Sequence, residues 1–226
     1  MSAVTDQAQP LRIVGTNHVS SDSTQRVLAG FAEHNPDVVA VELDDNRLRQ
    51  LRHGERQAPS LSIAKHIGFT GYVFARVAYF VQQRISKHIG IMPGAEMLNA
   101  AELAGKHGRP LHLIDQPIQI TLQNLSQRLG FREKARLAWD VISSPFRKPP
   151  FAFKPGEVPG KDLIRDIRAF MEERYPTLFQ TILDDRDRYM AKRIHDLLQQ
   201  GNTVLAVVGA AHKPGVESYL ARYEAQ

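Results

Sequence analysis

The stretch PDVVAVELDD, residues 36–45, decides the fold class. Its apolar residues are continuous rather than alternating with polar ones, which is typical of a strand buried on both faces of a parallel sheet. An acidic pair follows, and either Asp44 or Asp45 can cap the short helix that the next residues predict. The segment therefore predicts an internal strand that leads directly into a helix, the repeating unit of an α/β fold.

Three further apolar runs predict strands of the same sheet. Helical patterns separate them, and this alternation predicts an α/β fold with a mostly parallel central sheet and helices on both sides. A large helical block precedes the last strand, so we expect residues 117–200 to form an insertion within a single domain of residues 1–226. The other predicted strands are residues 11–14, 110–115 and 203–208.

Composition excludes several classes of site and partner. The 226 residues include no cysteine, which rules out disulfides, thiolate nucleophiles and cysteine metal ligands. The net charge of +5 is too small to indicate a nucleic-acid partner. The first residues lack a signal-peptide pattern, and no apolar run is long enough to span a bilayer. These features predict a cytoplasmic protein without a transmembrane segment.

Polar residues follow all four predicted strands. In open α/β sheets, ligands bind outside the carboxyl ends of the strands, so we expect these side chains to border one cleft. A carboxylate at a strand end can also do no more than cap the next helix, and this simpler role remains open for each acid. In the order of the strands, the residues are His18, Glu42 with Asp44, Asp115 and His212.

Two strand ends share the sequence Gly-x-x-His, one with Gly15 and His18 and the other with Gly209 and His212. Glycine permits a sharp turn and a close approach of the backbone to a ligand. Two imidazoles and a carboxylate such as Glu42 suffice to hold a divalent metal with an open position, and this donor set suits zinc, manganese, cobalt or iron. The alternative is that the histidines serve as turn residues or hydrogen-bonding groups.

Six segments resemble, in order, those of the TraB family, also called TraB/PrgY/GumN, over residues 11–216. They are GTNHVSSDS, PDVVAVELDDNRL, PGAEMLNAAELA, LHLIDQPIQITL, DDRDRYMA and VVGAAHKPGV. The family is similar to the Tiki proteins, which are described as metal-dependent proteases, and it includes proteins linked to shutdown of peptide pheromone signalling. The resemblance implies a TraB/Tiki-like fold and a metal-dependent hydrolase of peptide or amide bonds.

The resemblance also implies roles for individual residues. His18 and His212 would bind a metal or touch the substrate, and Glu42 would be the third metal ligand or the general base. Arg186 would stabilise negative charge on the carbonyl oxygen, unless it only forms an ion pair with Asp184 or Asp187. The residues expected to contact a peptide or small-molecule ligand are Gly15, Gly209, Glu96 and Asp115.

Among the departures from the family pattern, Gln116 stands where we expect arginine and Asp185 where we expect glutamate. Loss of an arginine would weaken anion or carbonyl binding, so a second function stays open: a protein that binds a peptide or small ligand without turnover. A third hypothesis is that the basic, apolar residues 61–89 dock on a membrane surface or a partner subunit. We expect instead that this stretch covers the sheet or lies in a homodimer interface.

Overall fold

The computed structural model describes residues 9–16, 21–54, 58–89, 94–143 and 160–225. Four strands in these ranges form one sheet in which every pairing is parallel, and helices surround it, so the predicted α/β class is confirmed. The strand order is β1-β4-β2-β3. The strands are β1 (Leu11–Thr16), β2 (Val38–Val41), β3 (Leu111–Leu113) and β4 (Val204–Gly209).

The helices occupy most of the remaining described chain. Those that precede β3 are α1 (Ser21–His34), α2 (Asp45–His53), α3 (Ala64–Ile89) and α4 (Ala95–Lys106). Those between β3 and β4 are α5 (Ile118–Arg128), α6 (Phe131–Ser143), α7 (Lys161–Arg174), α8 (Pro176–Phe179) and α9 (Asp185–Gln199). The helix after β4 is α10 (Lys213–Glu224). That the helices of residues 117–200 are an insertion within one domain remains a prediction.

Both faces of the sheet are covered, which explains the continuous apolar run in β2. Val39 and Val41 pack into one core with residues of α1, α2 and α4. Val38 and Ala40 pack into a second core with residues of α9 and α10. Every residue of β2 and β4 is buried, as a strand between two helical layers requires.

The strand register brings the carboxyl ends together. In the pairing of β1 with β4, Thr16 lies beside Gly209. Val41, at the end of β2, lies beside Val207 on one side and Leu113 on the other. The carboxyl ends of the four strands therefore lie at one edge of the sheet, and the residues that directly follow β2, β3 and β4 emerge there.

Asp44 caps two helices rather than one. Its Oδ1 accepts a hydrogen bond of 2.7 Å from the backbone N–H of Arg47 in the first turn of α2. Its Oδ2 accepts one of 3.1 Å from the backbone N–H of Ile118, where α5 begins. Asp44, and not Asp115, therefore accepts the hydrogen bond from the backbone at the start of α5. The carboxylate of Asp115 instead faces the site at the edge of the sheet.

Helix α3 lies against α5, so the expectation that it covers the sheet is wrong, whereas a homodimer interface at this helix stays a prediction. Its backbone is kinked at Gly68, which has φ 76° and ψ 162°. Gly71 continues the helix, and a Cβ there would approach the carbonyl oxygen of Leu122 to 2.6 Å. Gly71 therefore permits close packing of α3 on α5 rather than breaking the helix. Among the described residues, no helix is both long enough and apolar enough to cross a bilayer.

Candidate functional site

Glu42, the first residue after β2, joins three elements at the carboxyl edge of the sheet. Its Oε2 accepts a hydrogen bond of 2.6 Å from the backbone N–H of Gly209, at the end of β4. Its Oε1 accepts one of 2.9 Å from Nη2 of Arg186 and lies 3.4 Å from Nε2 of His212. The carboxylate is thereby fixed in one orientation between β4, α9 and the loop before α10.

Arg186 projects from α9 into this edge and holds two carboxylates. Its Nε and Nη2 donate to the two oxygens of Asp115 at 2.9 and 2.7 Å, a bidentate geometry that fixes both side chains. Burial lowers the pKa of Arg186, but the charges of Glu42 and Asp115 outweigh this effect and raise it, so the guanidinium stays charged. Burial also raises the pKa of Asp115, against the opposing effect of Arg186. Among the described residues, the ion pairs of Arg186 therefore join it to Glu42 and Asp115 rather than to Asp184 or Asp187.

His212 is oriented by a buried carboxylate. Its Nδ1 lies 2.6 Å from Oδ1 of Asp187, whose side chain has no exposed surface. The other oxygen of Asp187 accepts a hydrogen bond of 2.9 Å from Nη2 of Arg168. Because an ionised carboxylate can only accept, Nδ1 carries a proton, and in the neutral ring Nε2 is left as the acceptor that faces Glu42.

Two neighbours keep this arrangement in place. Arg168, on α7, also donates from Nη1 to the carbonyl oxygen of Ala211 at 2.6 Å, so it ties the backbone next to His212 to Asp187. Gly215, in the first turn of α10, lies so close to Asp187 that an added Cβ would be 2.5 Å from its Cγ. The absence of a side chain at Gly215 is therefore what allows α10 to begin beside the buried carboxylate.

The remaining predicted residues lie around β1. Glu96 is buried in the first turn of α4, with Oε1 3.4 Å from the hydroxyl of Thr16 at the end of β1. Gly15 lies in β1, where an added Cβ would be 3.2 Å from the side chain of Lys213. His18 lies outside the described residues. The structure thus connects Gly209, His212 and Arg186 through contacts with Glu42, and Asp115 through its contact with Arg186. Gly15 lies in the neighbouring strand β1, and Glu96 reaches Thr16 of that strand from α4.

The two departures from the family pattern each have a partner. The side-chain amide of Gln116 donates to the hydroxyl of Thr121 at 3.0 Å. Asp185 accepts a hydrogen bond of 2.7 Å from Arg128. Both residues line a cavity of about 320 Å³ whose charged lining also includes Arg188 and Lys192. Cationic groups are therefore present beside Gln116 although the arginine itself is absent.

Sequence reasoning missed the residues behind His212. Asp187 was considered only as a partner of Arg186, although an acid near the start of an amphipathic helix can also face inward. Its burial could not be inferred from α9 alone. No feature of the sequence indicates that Arg168 contributes to this site, because it lies 44 positions before His212 on a helix with many charged residues. Only the packing of α7 against the loop before α10 reveals its contact with Asp187.

A metal fits two of the described side chains. Nε2 of His212 and Oε1 of Glu42 are 3.4 Å apart, close to the roughly 3.3–3.4 Å between ligand atoms of a tetrahedral zinc site with bonds of about 2.0–2.1 Å. The contact of Asp187 with Nδ1 is the outer support that metal-bound histidines usually have. Within the ranges that the structure describes, no group of three or more His, Asp and Glu side chains is arranged to hold a metal. A metal at this position would need a further ligand from outside the described residues, where the predicted ligand His18 lies.

Comparison with known proteins gives a family and several relatives. A model of the TraB/PrgY/gumN family matches residues 1–226. An uncharacterized protein of Methanocaldococcus jannaschii is 34% identical over 216 residues, which cover 94% of this chain and 53% of that protein. The human TraB domain-containing protein is 29% identical and the mouse one 28%, each over 95% of this chain and 63% of the relative. The chain spans between about half and two thirds of the length of these relatives. Because the family model covers the whole sequence, the chain belongs to the TraB/PrgY/gumN family.

Proposed function

We propose that this protein is a hydrolase of peptide or amide bonds and that the reaction takes place between His212 and Glu42. The observation that carries the proposal is the orientation of the imidazole, because Asp187 occupies Nδ1 and Nε2 faces Glu42 at 3.4 Å. A buried acid behind a histidine and a second carboxylate in front of it form an arrangement suited to positioning and deprotonating water. It lies at the carboxyl edge of a parallel sheet, where α/β proteins bind their ligands.

In the proposed reaction Glu42 is the general base. Its oxygens accept hydrogen bonds from Gly209 and Arg186, and in the proposed reaction the carboxylate also accepts a proton from water. Nε2 of His212 accepts the second hydrogen bond of that water and orients its oxygen toward the carbonyl carbon. Water adds to this carbon, and the proton held by Glu42 passes to the amide nitrogen as the C–N bond breaks. The products are a carboxylic acid and an amine.

Arg186 serves the same reaction in two ways. It holds Glu42 at 2.9 Å and so fixes the base relative to His212. Its permanent charge also lies beside the position where the carbonyl oxygen becomes negative, and a fixed charge in a water-poor site stabilises such an oxyanion. Asp115 grips the same guanidinium with both oxygens, which makes it a positioning residue for Arg186.

We propose as the alternative arrangement that a divalent metal takes the place of the direct contacts of water with Nε2 of His212 and with Glu42, and that these two groups and His18 would hold it. His18 is two positions beyond Thr16, and Thr16 pairs with Gly209 in the sheet, so the chain order supports this third ligand. When bound, the metal would lower the pKa of a bound water and polarise the carbonyl group. Nothing in the donor set distinguishes zinc from manganese, cobalt or iron.

Cleavage of a mixed peptide library, followed by mass spectrometry, tests the hydrolase proposal. We expect cleavage products from the wild type with added zinc or manganese. His212→Gln should reduce the rate by about 10²–10⁴-fold, the usual contribution of a group that acts in acid–base chemistry. The matched control is His53→Gln, an exposed histidine on α2, which should cleave like the wild type. Peptides that bind the wild type without being cut would overturn the hydrolase and favour the non-catalytic binding protein.

Calorimetric titration with zinc and with manganese tests the metal separately. We expect one site that is lost in His18→Ala and in His212→Ala and kept in His53→Ala. Bound metal should raise the melting temperature of the wild type, because it stabilises the folded state preferentially. A melting temperature that rises equally in all four proteins would show that the metal binds elsewhere, and the two histidines would then be hydrogen-bonding groups of the cleft.

A further inference from the structure

Helix α3 presents an apolar stripe to solvent. Phe69 is 76% exposed and Phe80 is 59% exposed, and Val73 and Val77 between them are also exposed. At 100° per residue, these four positions fall within an arc of about 80° on the helix surface. We call them the α3 face. Monomeric proteins rarely leave such a contiguous apolar patch in water, so it marks an interaction surface.

The α3 face points away from the rest of the described structure. The opposite side of the helix packs on α5, where Gly71 approaches the carbonyl group of Leu122. Phe74, about 60–140° around the helix from the face, packs against the small core that includes Leu125 and Tyr175. The helix thus already buries one side within this chain, and the α3 face is a second apolar side.

The Lys, Arg, Asp and Glu residues of α3 and of its supporting helix α5 are all basic. The chain contains 24 Asp and Glu residues, yet none lies between Glu55 and Glu96. Over the same stretch α3 carries Lys65, Arg76, Arg84 and Lys87. Arg76 is exposed and next to Val77, so a cation accompanies the apolar stripe directly. Helix α5, which supports α3, also contains no acidic residue.

This combination selects one kind of partner. A second copy of the chain would bring two cationic helices together, and like charges oppose that contact. An uncharged apolar protein surface would leave the cations without counter-charges. An anionic lipid bilayer satisfies both features, because phosphate headgroups attract Lys and Arg while the boundary of the acyl chains accepts Phe and Val. We propose that the α3 face docks on an anionic membrane surface, with the helix lying in the plane of the interface.

Co-sedimentation with vesicles tests the docking surface. We expect the protein to pellet with vesicles of phosphatidylcholine mixed with phosphatidylglycerol, to bind vesicles of phosphatidylcholine alone much more weakly, and to be released by salt. Phe69→Ser should weaken binding by about tenfold or more, the usual effect of losing one buried large apolar side chain. Arg76→Gln should weaken it by about fivefold, because one basic residue near an anionic surface contributes about that much.

Two matched variants control for apolarity and for charge. Leu28→Ser removes an exposed apolar side chain from α1, and Lys106→Gln removes one positive charge from the end of α4. Both should bind vesicles like the wild type. Thermal denaturation shows whether each variant is folded, and Phe69 and Arg76 are exposed enough for their substitutions to leave the core intact.

Three outcomes would overturn the proposal. The first is absence of vesicle binding by the wild type. The second is equal binding to neutral and anionic vesicles, or binding that Phe69→Ser and Arg76→Gln leave unchanged. The third is a dimer in size-exclusion chromatography with light scattering that dissociates in Phe69→Ser while vesicles are ignored, because the α3 face would then cover a second copy of the chain.

Discussion

Gly215→Ala is expected to destabilise the protein although it places alanine in a helix. In most helices this change stabilises by about 0.5–1 kcal/mol, because glycine loses more backbone freedom on folding. At Gly215, however, the new Cβ would be 2.5 Å from Cγ of Asp187 and 2.9 Å from Nη2 of Arg168. Both atoms belong to a buried ion pair, so neither can move away without losing a contact.

The expected loss of stability combines the cost of the added methyl group with the cost of disturbing the buried ion pair. Forcing a methyl group into a closely packed site costs typically about 1–3 kcal/mol, and separating a buried carboxylate from its partner adds to that cost. After the helical gain is subtracted, we expect the free energy of unfolding to fall by about 2 kcal/mol. The displacement of Asp187 should also release Nδ1 of His212, so peptide cleavage should fall with stability.

Urea denaturation of wild type and variant measures this difference directly. Gly105→Ala is the matched control, because Gly105 also lies in a helix and an added Cβ there meets no atom within 4 Å. That variant should gain about 0.4–1 kcal/mol. If Gly215→Ala is as stable as the wild type or more so, the close packing of α10 against Asp187 does not require glycine at this position. The inference that this packing helps to orient His212 would then be refuted.

Three further predictions concern the carboxylates at the sheet edge. Arg186→Met leaves Glu42 and Asp115 without their shared cation and should cost about 3–5 kcal/mol in urea denaturation; Arg186→Lys should also lose stability, since an ammonium cannot reproduce the bidentate contact. Burial raises the pKa of Asp115, so ionisation of its carboxyl lowers the free energy of unfolding as pH rises through that pKa. As pH falls, the free energy of unfolding of the wild type should therefore rise relative to that of Asp115→Asn. A difference between the two proteins that does not change with pH would contradict this. Asp44→Ala should cost about 2 kcal/mol because it removes a helix cap and leaves the N–H of Ile118 without its acceptor, whereas Asp45→Ala, at an exposed position, should cost only a few tenths.

Local features of the fold could be predicted because they depend on neighbours in sequence. The continuous apolar run in residues 36–45 gave a strand buried on both faces, and β2 is such a strand. The segment KDLIRDIRAFMEER predicts a helix over Lys161–Arg174, and α7 has the same bounds. Because parallel strands end at one edge of a sheet, the sequence predicts that Glu42, Asp115 and His212 lie in a common region, and the contacts of Glu42 and Arg186 connect them.

Features that depend on tertiary packing could not be predicted. The helical pattern of residues 177–200 predicts one helix, whereas the structure has α8, a π-helical turn at Gln180–Asp184 and then α9. A π-turn adds a residue to the hydrogen-bonded ring and changes which side chains of the following helix face inward. Arg186 lies in the first turn of α9, directly after the π-turn. The direction of its side chain toward Asp115 therefore depends on a backbone irregularity that the local sequence pattern does not predict.

The central position of β4 has a consequence for biosynthesis. β1 and β2 do not pair with each other, and each is held by β4. The end of β1 at Thr16 and the start of β4 at Val204 are 188 positions apart. At about 5–20 residues per second, a ribosome therefore needs roughly 10–40 s after β1 to reach β4, the strand that lies between β1 and β2. During that interval β1 has no native partner strand in this sheet and β2 has only β3, so both carry an unpaired apolar edge. Unpaired edges are the condition under which nascent chains aggregate or recruit chaperones. A ribosome stalled before codon 204 should therefore carry a chain in which β1 is sensitive to protease, whereas emergence of β4 should protect β1 and complete the pairing of β2.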